Sequence, residues 1–253
     1  MVDTHCHLDS CRSPVAGLIE RARAAGITRL GSVGTDPDSA CCALAIAEEH
    51  AEVRAIVGVH PNHATGFSAR SVEEHDESLY GYAQSEHVVA IGETGLDYYR
   101  DHAPREDQRR AFEAHIDLAR QLDLPVVIHT RAAEEDTFAL LRERAEGLTV
   151  VLHCFSAPDR LDEAVERSYM CSFAGNVTYP SAADLQDAAE RVPDELLLVE
   201  TDSPYLSPQP VRKVANEPAN VVLTARFVAE RRGVPYGELD ALVERNAARV
   251  FGW

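Results

Sequence analysis

No apolar run in this 253-residue chain approaches the roughly 20 residues of a membrane-spanning helix, so an integral helical membrane protein is excluded. The opening residues, MVDTHCHLDS, have neither the basic region nor the apolar core of a secretory signal, and the expected compartment is the cytoplasm. Six cysteines (Cys6, Cys11, Cys41, Cys42, Cys154, Cys171) form no CxxC pair and no regular framework, which argues against a disulfide scaffold and for reduced thiols. The adjacent Cys41 and Cys42 read as small apolar fillers of a helix. Basic residues are scarce: 24 Lys and Arg face 42 Asp and Glu, a net charge of −18. Such a chain lacks the electrostatic footprint of a tight duplex-DNA binder, and a polyanionic substrate must be held by metal ions and a few local cations. Most of the acidity reads as solvated surface, around Glu73, Glu74 and Glu134 to Asp136. No linker, low-complexity tract or fixed-period repeat interrupts the chain, so residues 1–253 read as a single domain.

The chain does contain a regular alternation of short apolar runs and amphipathic stretches. Strands are expected at Val2–His5, Ile27–Val33, Val53–Val59, Val88–Glu93, Pro125–His129, Thr149–His153, Met170–Phe173 and Leu196–Thr201. Helix start signals follow several of them: Ser13-Pro14, with Gly26 as a stop, and Asp36-Pro37. Arg105–Leu122 sets Phe112, Ile116, Leu118 and Ala119 largely on one helical face. Eight strand–helix alternations in 253 residues predict an α/β fold of the TIM-type (β/α)8 barrel class rather than an open doubly wound sheet. The stretch Tyr236 to Phe251 reads as one additional C-terminal helix.

Polar residues of ligand type stand at corresponding places in this pattern. In an extended segment alternate side chains share a face, so His5 and His7 point one way and Cys6 the other. Glu93 ends VVAIGE, His129 ends PVVIH, His153 ends VVLH, and Asp202 follows LLLVET. Barrel enzymes place their reactive groups at these C-terminal strand ends, and apolar strands have no structural need for so many ionisable residues there. Four imidazoles and two carboxylates suit divalent cations. The nitrogen-rich set favours Zn, Mn, Fe or Co, with Mg still open. Six ligands exceed the needs of one tetrahedral ion, which argues for two ions per chain with Glu93 as the natural bridge.

The motifs THCHLD, GVHPNHA, IGETGLDYYRD, QRRAFEAHIDLARQLDLPVVIHTR, VLHCFS, LLLVETDSPYL and NEPAN together resemble the TatD-type metal-dependent deoxyribonucleases, which are amidohydrolase-like metal hydrolases. The resemblance runs from residue 2 nearly to the C-terminus. It implies a TIM-like barrel, a divalent-metal site and phosphodiester hydrolysis, typically as a DNA exonuclease. It also implies that His5, His7 and Asp202 hold one metal, His129 and His153 the other, with Glu93 between them. Two departures stand out: Ala157 where the family commonly has glycine after VLHCFS, and VRKVANEP where it has a compact RGKRNEP-like stretch.

Around these ligands lie candidate substrate contacts. His60 and His63 follow the third strand, and each contacts phosphate, orients a metal ligand near the barrel mouth, or is a loop histidine beside a proline turn. Arg131 lies two residues beyond His129 and reads either as a phosphate partner or as a surface arginine. Arg212 and Lys213 sit in a proline-rich loop after Asp202, where phosphate contact competes with plain solvation. Asn216 and Glu217 organise that loop or cap the helix near Pro218. Tyr98, Tyr99 and Tyr205 are able to stack on a nucleobase, with Tyr205 the foremost candidate. His50, His75, His87, His102 and His115 read as surface or helix residues without a role. Asp202 and Glu93 are the catalytic candidates, Asp202 orienting water and receiving its proton.

The leading expectation is a 3′–5′ exonuclease on single-stranded or frayed DNA ends, with no membrane association and no obligate protein partner. The same site equally suits a D-aminoacyl-tRNA deacylase or a small-molecule amidohydrolase, because activated water attacks phosphorus or carbonyl carbon alike. A non-catalytic binding barrel is the reading from another class, and the intact ligand set argues against it.

Overall fold

A computed structural model of the chain describes residues 1–67 and 76–253. His75, Glu73 and Glu74, read above as surface residues, lie outside the described residues. Strands and helices alternate in the order β1 (Val2–Cys6), α1 (Val15–Ala24), β2 (Arg29–Val33), α2 (Pro37–Glu49), β3 (Val53–Val57), α3 (Asp76–Ala83), β4 (Val88–Asp97), α4 (Arg105–Leu122), β5 (Val126–Arg131), α5 (Glu134–Arg144), β6 (Val150–Leu152), α6 (Leu161–Glu166), β7 (Met170–Phe173), α7 (Ala183–Arg191), β8 (Leu197–Val199), α8 (Val221–Arg232) and α9 (Tyr236–Phe251). The eight strands follow one another in chain order in the sheet, and the strand pairs are parallel. This is the (β/α)8 class expected from the alternation, with α9 as the added C-terminal helix. No helix among the described residues is long and apolar enough to cross a membrane.

Contacts divide the chain into two compact units, Met1–Ser32 with His153–Trp253, and Val33–Leu152. In the first, β1 pairs with β2 from Val2 opposite Arg29, and β7 pairs with β8 from Cys171 opposite Leu197. The segment after β8 runs along β1: the Asp202 amide donates to the His5 carbonyl at 2.9 Å and the His7 amide to the Ser203 carbonyl at 2.8 Å. In the second, β3, β4, β5 and β6 form consecutive parallel pairs. All ten residues of β4 are buried, as expected for a parallel strand covered on both faces.

Local signals account for the elements. Asp36 caps α2, its carboxylate accepting from the Ser39 amide at 2.9 Å while the Ser39 hydroxyl accepts from the Asp36 amide at 3.0 Å, and Pro37 takes the first helical position. The buried face of α2 is Ala40, Ala43 and Ala47. Cys41 and Cys42 fall on the opposite side of that stripe and are exposed, so the expectation that they fill the core is corrected. Helix α4 covers the expected Arg105–Leu122 and buries Phe112, Ile116, Leu118 and Ala119.

His115 on the same face of α4 is also buried, so of its two readings the helix one holds and the surface one is corrected. The Val59 amide donates to its Nε2 at 2.9 Å, so the ring proton sits on Nδ1 and is donated to the Ala111 carbonyl at 2.6 Å. The imidazole thereby ties α4 to the end of β3. Burial, opposed in part by the Ala111 bond, lowers its pKa to about 4.

Candidate metal-binding clusters

In the first unit, the extended backbone of β1 turns His5 and His7 to one side, while buried Cys6 points its thiol to the Gly31 carbonyl at 3.3 Å. The His5 ring stacks on that of His153, just past β6, with centroids 4.0 Å apart and planes 14° apart. It meets His7 edge-on at 5.1 Å. Asp202 brings Oδ1 to 3.4 Å from His7 Nε2 and 3.9 Å from His5 Nε2. Burial works to raise the Asp202 pKa, but the His7 hydrogen bond and the His153, His7 and His5 rings hold it below the ordinary carboxylate value. Ligand atoms of His5, His153 and Asp202 lie within 4.8 Å of one another, close enough to share one cation. Beneath them, buried Asp3 accepts from the Thr201 amide at 2.8 Å and its hydroxyl at 2.6 Å, which fixes the segment carrying Asp202 against β1. Burial pushes the Asp3 carboxyl up to about 8 despite these bonds.

In the second unit, His129 lies inside β5, opposite Gly95 of β4. Its Nδ1 is 3.0 Å from Glu93 Oε1 and its Nε2 is 3.5 Å from Asp97 Oδ2. Glycine at 95 is required there. Its φ is +141°, and an added Cβ would stand 2.0 Å from the His129 carbonyl oxygen. His60 accepts the Asn62 amide at Nδ1 (3.0 Å), which leaves the neutral ring's proton on Nε2, 3.2 Å from Glu93 Oε1. In this tautomer His60 is a donor to Glu93 and has no lone pair to offer a cation. Ligand-type atoms of His60, Asp97 and His129 also lie within 4.8 Å of one another, yet Asp97 is already engaged. Its Oδ1 accepts from the Tyr99 and Arg100 amides at 3.0 and 2.8 Å, and its Oδ2 accepts from Asn62 Nδ2 at 3.0 Å. Burial raises the Asp97 pKa, but the His129 ring 3.5 Å away and the Arg100 and Asn62 hydrogen bonds outweigh it and hold the carboxyl far below its usual range. Buried Gln108 completes the turn, accepting the Asp97 amide at 2.8 Å and donating to the Ala103 carbonyl at 2.9 Å.

The remaining candidates spread outward from these clusters. Arg131, at the end of β5, lays its guanidinium over exposed Tyr99, 4.0 Å from the ring centroid. His63 is exposed and turns away to the Thr35 carbonyl (3.0 Å) and Asp36 (3.4 Å). Tyr98 donates its hydroxyl to Asp136 at 2.8 Å. In the first unit, Tyr205 is 57% exposed with its ring 6.0 Å from His7. Arg212 covers the Tyr179 ring at 3.5 Å, and Lys213 is exposed. Asn216 organises the loop: its Nδ2 donates to the Thr201 and Tyr205 carbonyls at 2.9 and 2.7 Å, whereas Glu217 pairs with Arg21 at 2.7 Å.

Three buried acids at or behind these clusters, Asp3, Asp97 and Glu200, are not marked by the sequence reading. Ending β4 at Glu93 relegated GLD to a loop, although β4 continues to Asp97. Glu200 stands directly after LLLV, and an acid abutting a wholly apolar run was the available signal.

A family model described as TatD related DNase matches residues 2–252. An uncharacterised metal-dependent hydrolase named TatD from Mycobacterium tuberculosis is 38% identical, over 100% of this chain and 98% of the relative. A protein of Erwinia amylovora named 3′-5′ ssDNA/RNA exonuclease TatD is 35% identical, over 93% of this chain and 92% of its own length. The crystal structure of YJJV, a TatD homolog from Escherichia coli K12, is 28% identical and superposes with a TM-score of 0.91, covering 100% of this chain and 98% of that one.

Proposed function

Since this chain belongs to the TatD-related DNase family of metal-dependent hydrolases, we propose that it removes nucleotides from the 3′ ends of single-stranded or frayed DNA. The observation that carries the reading is the concentration of imidazoles around a carboxylate held ionised, His5, His7 and His153 about Asp202. That donor set fits a divalent cation of the Zn or Mn type, and the name of the Erwinia relative, a 3′-5′ ssDNA/RNA exonuclease, supports a single-stranded nucleic-acid substrate and the 3′ polarity. The proposed ligands are His5, His7, Glu93, His129, His153 and Asp202. Two ions are proposed per chain, as the family resemblance implies.

A bound divalent cation supplies the Lewis acidity that activates water at neutral pH and neutralises phosphate oxygens. The chain's own residues do the rest. Asp202 orients the attacking water and takes its proton. His60 orients Glu93 through its Nε2–H, Tyr205 offers an exposed ring face to the terminal base, and Arg131, Arg212 and Lys213 supply the local cations that an acidic chain otherwise lacks. The test is end-labelled single-stranded DNA incubated with Mg, Mn or Zn, with and without chelator, for the native chain and Asp202→Ala. A ladder shrinking from the 3′ end, abolished by chelator and in the folded variant, is expected. Full activity of folded Asp202→Ala overturns its role. No cleavage with any metal, alongside release of an amino acid from charged tRNA, overturns the nuclease reading in favour of the deacylase.

A further inference from the structure

We infer that Glu200 is a positioning residue for the metal site, setting the tautomer and ring angle of His153 from behind. Glu200 is wholly buried, at 0% exposure. Its Oε1 lies 3.2 Å from His153 Nδ1 and accepts the Cys154 amide at 2.7 Å. Oε2 makes no hydrogen bond to the described residues. An ionisable side chain excluded from water is costly unless its partners use it, and here both partners belong to the turn that carries His153. The backbone of Glu200 is pinned too, its amide donating to the Phe173 carbonyl of β7 at 3.1 Å. The carboxylate therefore holds the residues after β6 from a fixed point at the end of β8, where the backbone is bonded to β7. Cys154 adopts φ +43°, a left-handed conformation uncommon for a non-glycine residue, in the turn whose amide Glu200 accepts.

The chemistry follows from the two nitrogens of one ring. With Nδ1–H committed to Glu200, the neutral imidazole has its lone pair on Nε2, the form a cation requires. A carboxylate behind a metal-binding histidine also orients the ring and raises its basicity, and loss of such a partner typically weakens metal binding about 10- to 100-fold. Stacked on His5 at 4.0 Å and held by Glu200 at 3.2 Å, His153 has its plane and its edge both determined before a cation arrives.

This inference rests on His153 being a metal ligand, and the experiment separates the two claims. Mn2+ and Zn2+ affinities are measured by chelator competition for the full chain and for Glu200→Ala, Glu200→Gln and His153→Ala, with circular dichroism and thermal melting of the metal-free proteins as the check on folding. The ring 15N shifts of His153 are read in the metal-free native protein. Expected are an Nδ1–H tautomer in the native protein, affinity about 10- to 100-fold weaker in Glu200→Ala, and most of the affinity retained in Glu200→Gln, whose amide oxygen still accepts both hydrogen bonds. Unchanged affinity in folded Glu200→Ala, equal losses in the Ala and Gln variants, or a native Nε2–H tautomer would each overturn the proposal. The tautomer measurement decides the matter even where a variant fails to fold. Native affinity in His153→Ala would instead sink the ligand reading on which the inference stands.

Discussion

His115 makes the fold sensitive to acid through a single proton. The folded ring has a pKa of about 4, chiefly because it is buried, whereas the unfolded ring titrates near its ordinary 6.5. Below pH 6.5 the unfolded chain takes up a proton that the folded chain refuses, so unfolding gains ground as pH falls. The stability contributed by the neutral ring is complete above pH 6.5 and lost as pH approaches 4, an effect of about 3 kcal/mol. Urea unfolding at pH 7.5 and pH 4.5, compared between the native chain and His115→Gln, isolates this proton from the carboxylates that titrate in both. The native chain is expected to lose more stability than the variant over that interval, and equal losses would show that His115 carries none of the slope.

Among the elements, the β4–β5 pair bears most directly on the site, and Gly95 is its tightest point. Alanine there must adopt φ +141° and meets the His129 carbonyl at 2.0 Å. Gly233, which ends α8 with φ +67°, has nothing within 4 Å of an added Cβ. Gly233→Ala is therefore expected to cost only the left-handed backbone penalty, about 1–2 kcal/mol, with metal affinity unchanged. Gly95→Ala is expected to cost more and to weaken metal binding, because β4 and β5 must separate where His129 meets Glu93 and Asp97. Equal costs, or native metal affinity in Gly95→Ala, would dissociate the strand contact from the site. The cap of α2 gives a third scale: Asp36→Ala is expected to lower stability by about 1 kcal/mol in thermal melting, with activity untouched.

At the scale of the whole molecule, the charge of −18 limits what substrate the surface can hold. With Arg131, Arg212 and Lys213 as the proposed phosphate contacts, single-stranded DNA binding by the Asp202→Ala variant is expected to weaken with salt at a log–log slope of about −2, since each neutralised phosphate contributes about 0.7. Replacing Arg212 and Lys213 by Ala should flatten that slope to about −0.7. A slope near −6, or one indifferent to these residues, would place the binding surface elsewhere. Metal removal is expected to lower the melting temperature, because a ligand that binds only the folded chain adds stability in proportion to the logarithm of its concentration over its dissociation constant.

The (β/α)8 alternation, the helix Arg105–Leu122 and the presence of six residues of metal-ligand type at strand ends were legible in the sequence, because periodicity and a polar residue abutting an apolar strand are both local patterns. Which polar residues meet is set by the packing of separate strands. Asp97 and Glu200 share their motifs with Glu93 and Asp202, but whether a side chain touches an imidazole depends on the neighbouring strand, not on its own. His115 and His63 show the same divide: the sequence marks His115 as a residue without a role and His63 as a candidate phosphate contact. One is buried between α4 and the end of β3, and the other turns out to Asp36 and water, since burial is set by the packing of segments far apart in the chain.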